Sequence, residues 1–544
     1  MMLTEPEFLV CDVLIVGSGG AGLRAAIEAK LAGANVFLAS KSPVGLGNNT
    51  AISKASVPAA GVGDKHDSPE AHLKDTLTSG RFMNDKAIAE KICREAVNDV
   101  PSLEKYGIRF QKKENEFVIR KVPGHSYGRH LSAGNRSRGV DLTIPLKAYA
   151  ADIGIGFIER CFISHLFVNE NGITATGISR EGKFWAIQAE TVVLATGGYA
   201  QIYLHCDNAA GSTGDGVALA FNLGVPLRDM EFVQFYPTAI SSGAYMIAYE
   251  TFVANYGAPI KNNLGENIIK KYGLADPLVM TRDKLSQAIM REIMEGRDID
   301  GGVIMDLSGM SDKDLRERGA VLPESVMGKT EFIVTPTSHF SIGGISIDAE
   351  CRTSIPGLFA CGEVTGGAHG ANRLAGNALA EIFVMGRTAG KNAAQMALSS
   401  PRGKQDTSAV FVEKDRLESL IAGQDDNQLK ESIKVLKETM WQNVGIIRNQ
   451  TGLENALKRI DQIKSDSARV KVSSVENLIA LLEFNNMLLL AQVIAKASLL
   501  RTETRGAHYR EDYPGEDPAL GKSSFVRNEH GSLIRIKHNL MVNS

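Results

Sequence analysis

The stretch CDVLIVGSGGAGLRAAIEAKLAGANVFLAS near the N-terminus constrains this chain more than any other. Residues 12–16 read as a buried strand, the glycines after them as a tight turn, residues 21–32 as a helix and residues 35–39 as a second strand. Gly17, Gly19 and Gly22 are spaced GxGxxG. In that spacing the first glycine permits the sharp turn, the second lets a pyrophosphate approach the backbone, and the third lets the helix pack closely. A pyrophosphate would rest on the helix N-terminus, where unpaired N–H groups favour an anion. A glycine-rich turn in some other α/β protein is the competing reading; strand, turn and helix in register favour dinucleotide binding. The carboxylate expected on the ribose about 20 residues on is missing, and Ser40 and Lys41 stand there instead.

A chain of 544 residues exceeds what one hydrophobic core holds, so two to four folding units are expected. With 44% hydrophobic residues, 22% charged residues and a net charge of -2, nothing draws the chain to nucleic acid or an anionic membrane. The N-terminal residues are acidic where an export signal is basic, which predicts a cytoplasmic protein. The apolar stretch 486–500 is interrupted by Gln492 and Lys496 and reads as an amphipathic or core helix rather than a membrane span, so a membrane would be reached only through partner subunits. The six cysteines are scattered without CxxC or Cys/His ligand spacing, which predicts reduced thiols and no metal site.

Two further apolar strands end in glycines, at ETVVLATGGYA (190–200) and GLFACGEVTGG (357–367), with GSTGDGVALAF (211–221) following the first. A helix is predicted to begin near Asn377. Repeated return of the chain to glycine turns suits one large cofactor buried along its length, which points to FAD rather than NAD.

On the motifs GSGGAGLRAA, ATGGYAQIY, TGDGVALA, MEFVQFYPT, TRDKLSQA, TPTSHFSIGGI, GLFACGEVTGGAHGANRLAGNAL and TETRGAHYREDYP, the chain resembles the fumarate reductase/succinate dehydrogenase flavoprotein family, which includes L-aspartate oxidase. The resemblance implies an α/β fold: a Rossmann-like FAD-binding domain (1–233 and 346–400), an inserted α+β capping domain (234–345), a C-terminal helical bundle (408–505) and a final segment (506–544). It implies FAD contacts from Gly17, Gly19, Gly20, Gly22, Ser40, Lys41, Asn49, Thr50, Ala195, Thr196, Gly197, Asp215, His339, Glu363, Arg373, Asn377, Ala378 and Leu379.

The resemblance also implies catalytic roles. His339 and Arg373 would hold a substrate carboxylate beside the flavin, imidazole as one donor and guanidinium as a two-pronged one. Arg282 would donate a proton to the carbanion-like carbon that forms as hydride adds to the other end of a C=C bond. Asp283 reads as structural. Two departures stand out. The family's QFHPT is QFYPT here, placing Tyr236 where a histidine grips a second carboxylate, and TEGCRGEGG is replaced by YETFVANYGA, which keeps Glu250 with one inserted residue and loses the relay arginine. A third is Asn49, at the place of the histidine that bonds FAD covalently in respiratory members, which predicts non-covalent FAD of lower potential.

The expected activity is therefore interconversion of a C=C and a CH–CH bond next to a carboxylate, on a substrate other than plain fumarate or succinate. The alternatives are an ordinary flavoprotein of a fumarate reductase or succinate dehydrogenase, an L-aspartate oxidase, and a non-catalytic electron-transfer protein. Electrons are expected through a separate iron-sulfur subunit. The basic segment 124–139 reads as a loop that either approaches the active site or is solvated at the surface, the second being preferred, and His508 reads as a packing residue that anchors the C-terminal segment.

Overall fold

The computed structural model describes residues 3–135, 138–241, 245–275, 280–311, 313, 329–399, 407–422, 426–529 and 533–538. Its central layer is a seven-stranded mixed sheet in the order Gly156–Glu159, Val36–Ser40, Glu7–Val16, Phe184–Leu194, Gly172–Ser179, Cys161–Asn169, with Leu358–Ala360 also paired to Phe184–Leu194. The strands that run parallel are Gly156–Glu159, Val36–Ser40, Glu7–Val16, Phe184–Leu194 and Leu358–Ala360. Val13, Leu14 and Ile15 are buried together with Val192 and Val193 beside them. Burial on both faces is why this strand reads as an unbroken apolar run rather than an alternating one. The strand begins at Glu7 rather than at residue 12, because residues 7–11 pair with Trp185–Ala189 even though Glu7, Phe8 and Val10 point to solvent.

The helix Gly20–Leu31 follows the glycine turn and packs along Asn377–Ser399, which starts where the sequence places it. Their backbones approach so closely that a Cβ at Gly390 would lie 2.1 Å from the Ala25 carbonyl oxygen.

A second, antiparallel sheet of five strands runs Tyr245–Ile247, Val233–Ser241, Glu331–Ser341, Val303–Asp306, Ile260–Lys261, with the helix Arg282–Met294 packed on Val233–Ser241. It encloses its own apolar cluster, in which Tyr236, Phe252, Leu285, Ile289, Met305 and Val334 are buried. The register between Val233–Ser241 and Glu331–Ser341 shifts twice, between Gln234 and Phe235 and between Tyr236 and Ala239. Pro237 lies within the second shift and has no N–H for the ladder. Such irregularities turn side chains away from strict alternation, and here they aim Gln234 and Tyr236.

The helices Ser408–Ser419, Asn427–Val444, Gln450–Ser467 and Val475–Leu500 form the C-terminal part. By length and composition Val475–Leu500 could cross a membrane, yet 67% of its most apolar window is buried within the protein. It therefore serves as a core helix, as its interrupting polar residues predict. The final strands Ser524–Glu529 and Leu533–His538 pair with each other, and the first pairs through Val526 and Phe525 with Leu227–Arg228. His508 is buried between Arg448, which donates to Nδ1 at 2.8 Å, and the Arg501 carbonyl, which accepts from Nε2 at 3.1 Å. Its role is packing, in agreement with the sequence.

The segment 124–139 overturns an expectation. His125, Arg129 and His130 are buried, not solvated. The Arg129 guanidinium meets Asp67 through Nη2 at 2.7 Å and Nε at 3.0 Å, and Asp75 through Nη1 at 2.8 Å. The segment looked like a solvated basic loop because the carboxylates that neutralise Arg129 lie more than fifty positions upstream. His125 bonds the Ala375 carbonyl through Nε2 at 2.8 Å, and burial pushes its pKa down to about 3.

Removing one partner from a buried ion cluster leaves uncompensated charge in a low-dielectric interior. Arg129→Leu should therefore lower the unfolding free energy by about 3–5 kcal/mol, read from the midpoint and slope of urea denaturation.

Candidate functional site

A cavity of about 130 Å³ opens at the carboxyl ends of Glu7–Val16, Val36–Ser40 and Phe184–Leu194. Of the residues assigned to FAD from sequence, Gly17, Gly19, Gly20, Ser40, Lys41, Asn49, Thr50, Ala195, Thr196, Gly197, Asp215 and Glu363 line it. The three turn glycines differ as their spacing requires. Gly17 has φ +112° and a Cβ there would meet the Ala195 carbonyl oxygen at 2.2 Å, while a Cβ at Gly22 would meet the Gly17 carbonyl oxygen at 1.9 Å. At Gly19 the nearest atoms are side-chain atoms of Thr50 and Asn48 at 3.5 Å or more, so the backbone stays open to a ligand.

Gly19 caps the helix without a side chain, which leaves first-turn N–H groups for an anion. Thr196 adds a buried hydroxyl that has no partner among the described residues. These features fit a dinucleotide.

Ser40 and Lys41, which stand where a ribose carboxylate is expected, are tied into polar contacts around the cavity. Ser40 Oγ and Ser18 Oγ share a hydrogen bond of 2.7 Å. Lys41 Nζ donates to Asp215 at 2.5 Å, Glu483 at 2.7 Å and Thr213 at 2.8 Å, tying the cavity to the helix Val475–Leu500. Asn49 donates through Nδ2 to Asn208 Oδ1 at 2.7 Å and to Glu363 Oε2 at 3.0 Å, and its Oδ1 accepts from the Ala209 N–H at 2.9 Å. Burial pushes the Glu363 carboxyl up to about 7, against the opposing hydrogen bonds from Ser341 N–H and Asn49.

The remaining residues assigned to the flavin lie outside this lining. Gly22 sits behind the turn, against Gly17. Asn377, Ala378 and Leu379 open the helix Asn377–Ser399, and Ile382 one turn on does reach the cavity. The Asn377 side chain is committed elsewhere: its Oδ1 lies 2.9 Å from His72 Nε2, and its Nδ2 donates to Thr76 Oγ1 at 2.9 Å. His339 and Arg373 belong to a second cluster.

In that cluster Arg282, Arg373, His339 and Tyr236 come together from four elements. The Gln234 Oε1 accepts from Arg282 Nη1 at 3.2 Å and from Arg373 Nε and Nη2 at 3.2 and 3.0 Å. Its amide donates to Asn372 Oδ1 and the Arg373 carbonyl, both at 2.9 Å. Two guanidinium groups thus converge on one neutral oxygen. Arg282 lies 5.0 Å above the buried Tyr236 ring, Arg373 lies 4.4 Å above Phe340, and the Tyr236 and His339 rings are 5.1 Å apart. His339 Nδ1 faces both oxygens of Asp207, at 3.0 and 3.1 Å. Asp283 accepts from Asn372 Nδ2 at 3.4 Å. The backbone of residues 249–254 forms a single π-helical turn, which takes up one residue more than an α-turn; the Glu250 side chain lies outside the described residues.

Gln234, Asp207 and Asn208 are the members that sequence reasoning missed. Gln234 stands in the MEFVQFYPT motif two positions before Tyr236, and that adjacency was the available signal. Asp207 carried none, since its partner is 132 positions away.

Residues 12–379 match the FAD binding domain family, and residues 433–539 match the family described as fumarate reductase flavoprotein C-term. One component of the fumarate reductase (CoM/CoB) of Methanothermobacter marburgensis is 36% identical over 95% of this chain and 97% of its own length. An L-aspartate oxidase of Pyrococcus furiosus is 30% identical over 95% of this chain and 99% of its own. Among solved structures, an Escherichia coli quinol fumarate reductase variant superposes with a TM-score of 0.88 at 28% identity, covering 99% of this chain and 98% of that one.

Gly22→Ala should abolish flavin retention in the purified protein, measured as the ratio of flavin to protein absorbance, because its methyl group would occupy the Gly17 carbonyl. Glu363 is raised in the folded state, so the stability it contributes is present below its ordinary value of 4.5 and is lost as pH rises through about 7. The unfolding free energy of the flavin-free protein should accordingly fall between those pH values, and Glu363→Gln should flatten that slope in denaturant titrations.

Proposed function

Since the chain belongs to the fumarate reductase/succinate dehydrogenase flavoprotein family and is an FAD-dependent oxidoreductase, we propose that it reduces, or forms, a C=C bond next to a substrate carboxylate other than plain fumarate or succinate. The observation that carries this reading is the convergence of Arg282 and Arg373 on the Gln234 carbonyl oxygen, beside His339 and against the face of Tyr236.

Bound FAD supplies the hydride chemistry that interconverts C=C and CH–CH. Arg373 and His339 bind the carboxylate and orient the adjacent double bond. A planar guanidinium offers two parallel donors to two carboxylate oxygens, so the bond it makes also sets direction. Arg282 stabilises the negative charge that builds on one carbon of the double bond and then donates a proton to it. Its guanidinium is a poor acid, which restricts this donation to a strongly basic carbon and keeps the step coupled to reduction. Gln234 holds both guanidiniums in place through one neutral oxygen, so this contact orients them without adding negative charge of its own.

Tyr236 sets the far end of the substrate. Its ring, buried beside His339 and beneath Arg282, stands where the family's histidine would grip a second carboxylate, and its single hydroxyl and apolar ring favour a neutral, aromatic or longer substituent. The flavin is bound without a covalent link: Asn49 occupies the attachment position, and its amide is engaged with Asn208, Ala209 and Glu363. Electrons reach the flavin from a separate iron-sulfur subunit. The scattered cysteines support this, as does the methanogen relative, whose name makes it one component of a larger enzyme.

Anaerobic stopped-flow reoxidation of the dithionite-reduced protein by fumarate, acrylate, crotonate, cinnamate and longer enoates tests the reading. Fast reoxidation by a monocarboxylate with fumarate inert is expected. Fast reoxidation by fumarate would return Tyr236 to a tolerated variant, and ammonia release from L-aspartate would move the chain to the oxidase reading. Arg282→Met should slow turnover of the accepted enoate by about 100- to 10,000-fold with flavin content unchanged. Tyr236→His should shift preference toward fumarate, read as the ratio of kcat/KM values.

A further inference from the structure

The turn that carries Asp207 is laid against the strand Glu331–Ser341 as though it were an added strand. Ser338 N–H donates to the His205 carbonyl at 2.9 Å, Asp207 N–H donates to the Ser338 carbonyl at 3.3 Å, and Cys206 and Ser338 form a parallel bridge. The Asp207 side chain then sits between three side chains. Thr337 Oγ1 donates to Oδ2 at 3.0 Å, Asn208 Nδ2 donates to Oδ1 at 2.9 Å, and His339 Nδ1 lies 3.0 Å from Oδ2. Asn208 Nδ2 also donates to the His339 carbonyl at 2.8 Å, so the backbone of the histidine is held by the residue next to the carboxylate. Asp207 is almost fully buried, whereas the His339 side chain keeps 19% exposure.

We propose that Asp207 is a positioning residue that locks the proton of His339 onto Nδ1, so that a substrate carboxylate can dock on Nε2 only as that nitrogen takes up a proton from solvent. The inference rests on the reading of His339 as a carboxylate ligand. A carboxylate flanked by an amide N–H and a hydroxyl acts as acceptor, and it leaves Nδ1 as the donor. The neutral ring then presents a lone pair at Nε2, which repels a carboxylate oxygen; only the imidazolium can donate there.

The groups facing the ring oppose one another. Asp207 favours the imidazolium; Arg282 from the start of its helix and Arg373 from the loop before Asn377–Ser399 disfavour it; Tyr236 presents an uncharged ring from the neighbouring strand. Burial is the largest influence and, with the two arginines, holds the His339 pKa below its ordinary 6.5 against the pull of Asp207. The free ring is therefore neutral near pH 7. An arriving anion adds the second negative neighbour that tips it to the charged form. Binding then consumes one proton per carboxylate, and by linkage KM rises with pH by up to about tenfold per unit while kcat stays nearly level.

The test uses the FAD-loaded full chain with ¹⁵N-labelled histidine, the His339 resonances being assigned by their loss in His339→Gln. At pH 8, Nδ1 is expected to be protonated and Nε2 not, and acetate, an unreactive carboxylate, should move Nε2 to its protonated position. A protonated Nε2 before acetate, or an unmoved one after it, overturns the inference. Asp207→Asn should raise KM for the fastest enoate about ten- to hundredfold with kcat nearly unchanged, and start the rise of KM at lower pH. Thr337→Val keeps the Asp207 charge and removes one donor. The carboxylate, relieved of a competing donor, holds the ring proton more strongly, so the rise of KM should start at slightly higher pH; an unaltered profile or a shift to lower pH rejects the assignment. If Asp207→Asn fails to retain flavin, Thr337→Val and the acetate titration decide. Should no enoate reoxidise the flavin while acetate still protonates Nε2, the function reading fails and the proton coupling stands.

Discussion

At the first glycine turn the helix Gly20–Leu31 is set so tightly on the strand Glu7–Val16 that a Cβ at Gly22 would lie 1.9 Å from the Gly17 carbonyl oxygen and one at Gly17 2.2 Å from the Ala195 carbonyl oxygen. No side chain larger than hydrogen fits at either glycine, and with one the helix would stand off the sheet. From that approach follow the parallel pairing with Phe184–Leu194, the seating of Asn377–Ser399 along the first helix, and the cavity that opens at the strand ends. Lys41 then carries the constraint outward, since its ion pairs with Asp215 and Glu483 bind the cavity wall to the long C-terminal helix.

The reactive end of the molecule is governed by charge rather than by packing. Two guanidiniums face one amide oxygen, a neutral acceptor that holds them close to each other. Asp207 is turned toward the back of His339, its oxygens 3.0 and 3.1 Å from Nδ1. Preorganised positive charge in a partly buried site acts on developing negative charge without reorganisation at the moment of reaction.

Several elements were legible because their determinants are local. The strand, glycine turn and helix at residues 12–32 lie within one turn-and-period pattern, and the start of Asn377–Ser399 follows from the same reasoning. The polar residues inside Val475–Leu500 foretold a core helix. The misread segment 124–139 failed for the converse reason: a basic residue is solvated or buried according to whether a carboxylate meets it, and Asp67 and Asp75 belong to a different stretch. Asn377 was read as a flavin contact from motif position, and the fold adds what the motif did not carry, the bonds of its side chain to His72 and Thr76 far upstream.

The sequence by itself determined the kind of molecule: a dinucleotide-binding α/β chain with a glycine-turn cofactor cradle, and a set of arginine, histidine and tyrosine residues whose order marks its family. Turn chemistry and periodicity are short-range and survive in one dimension. Only the tertiary structure decided which groups meet. That Gln234 would join Arg282 to Arg373, that Asn49 would be held by Glu363 from 314 positions away, and that Asp207 would stand behind His339 are outcomes of strands and loops converging in space. Hydrogen bonding and charge neutralisation act over a few ångströms regardless of separation along the chain, so a single sequence carries no trace of these pairings until the fold brings them together.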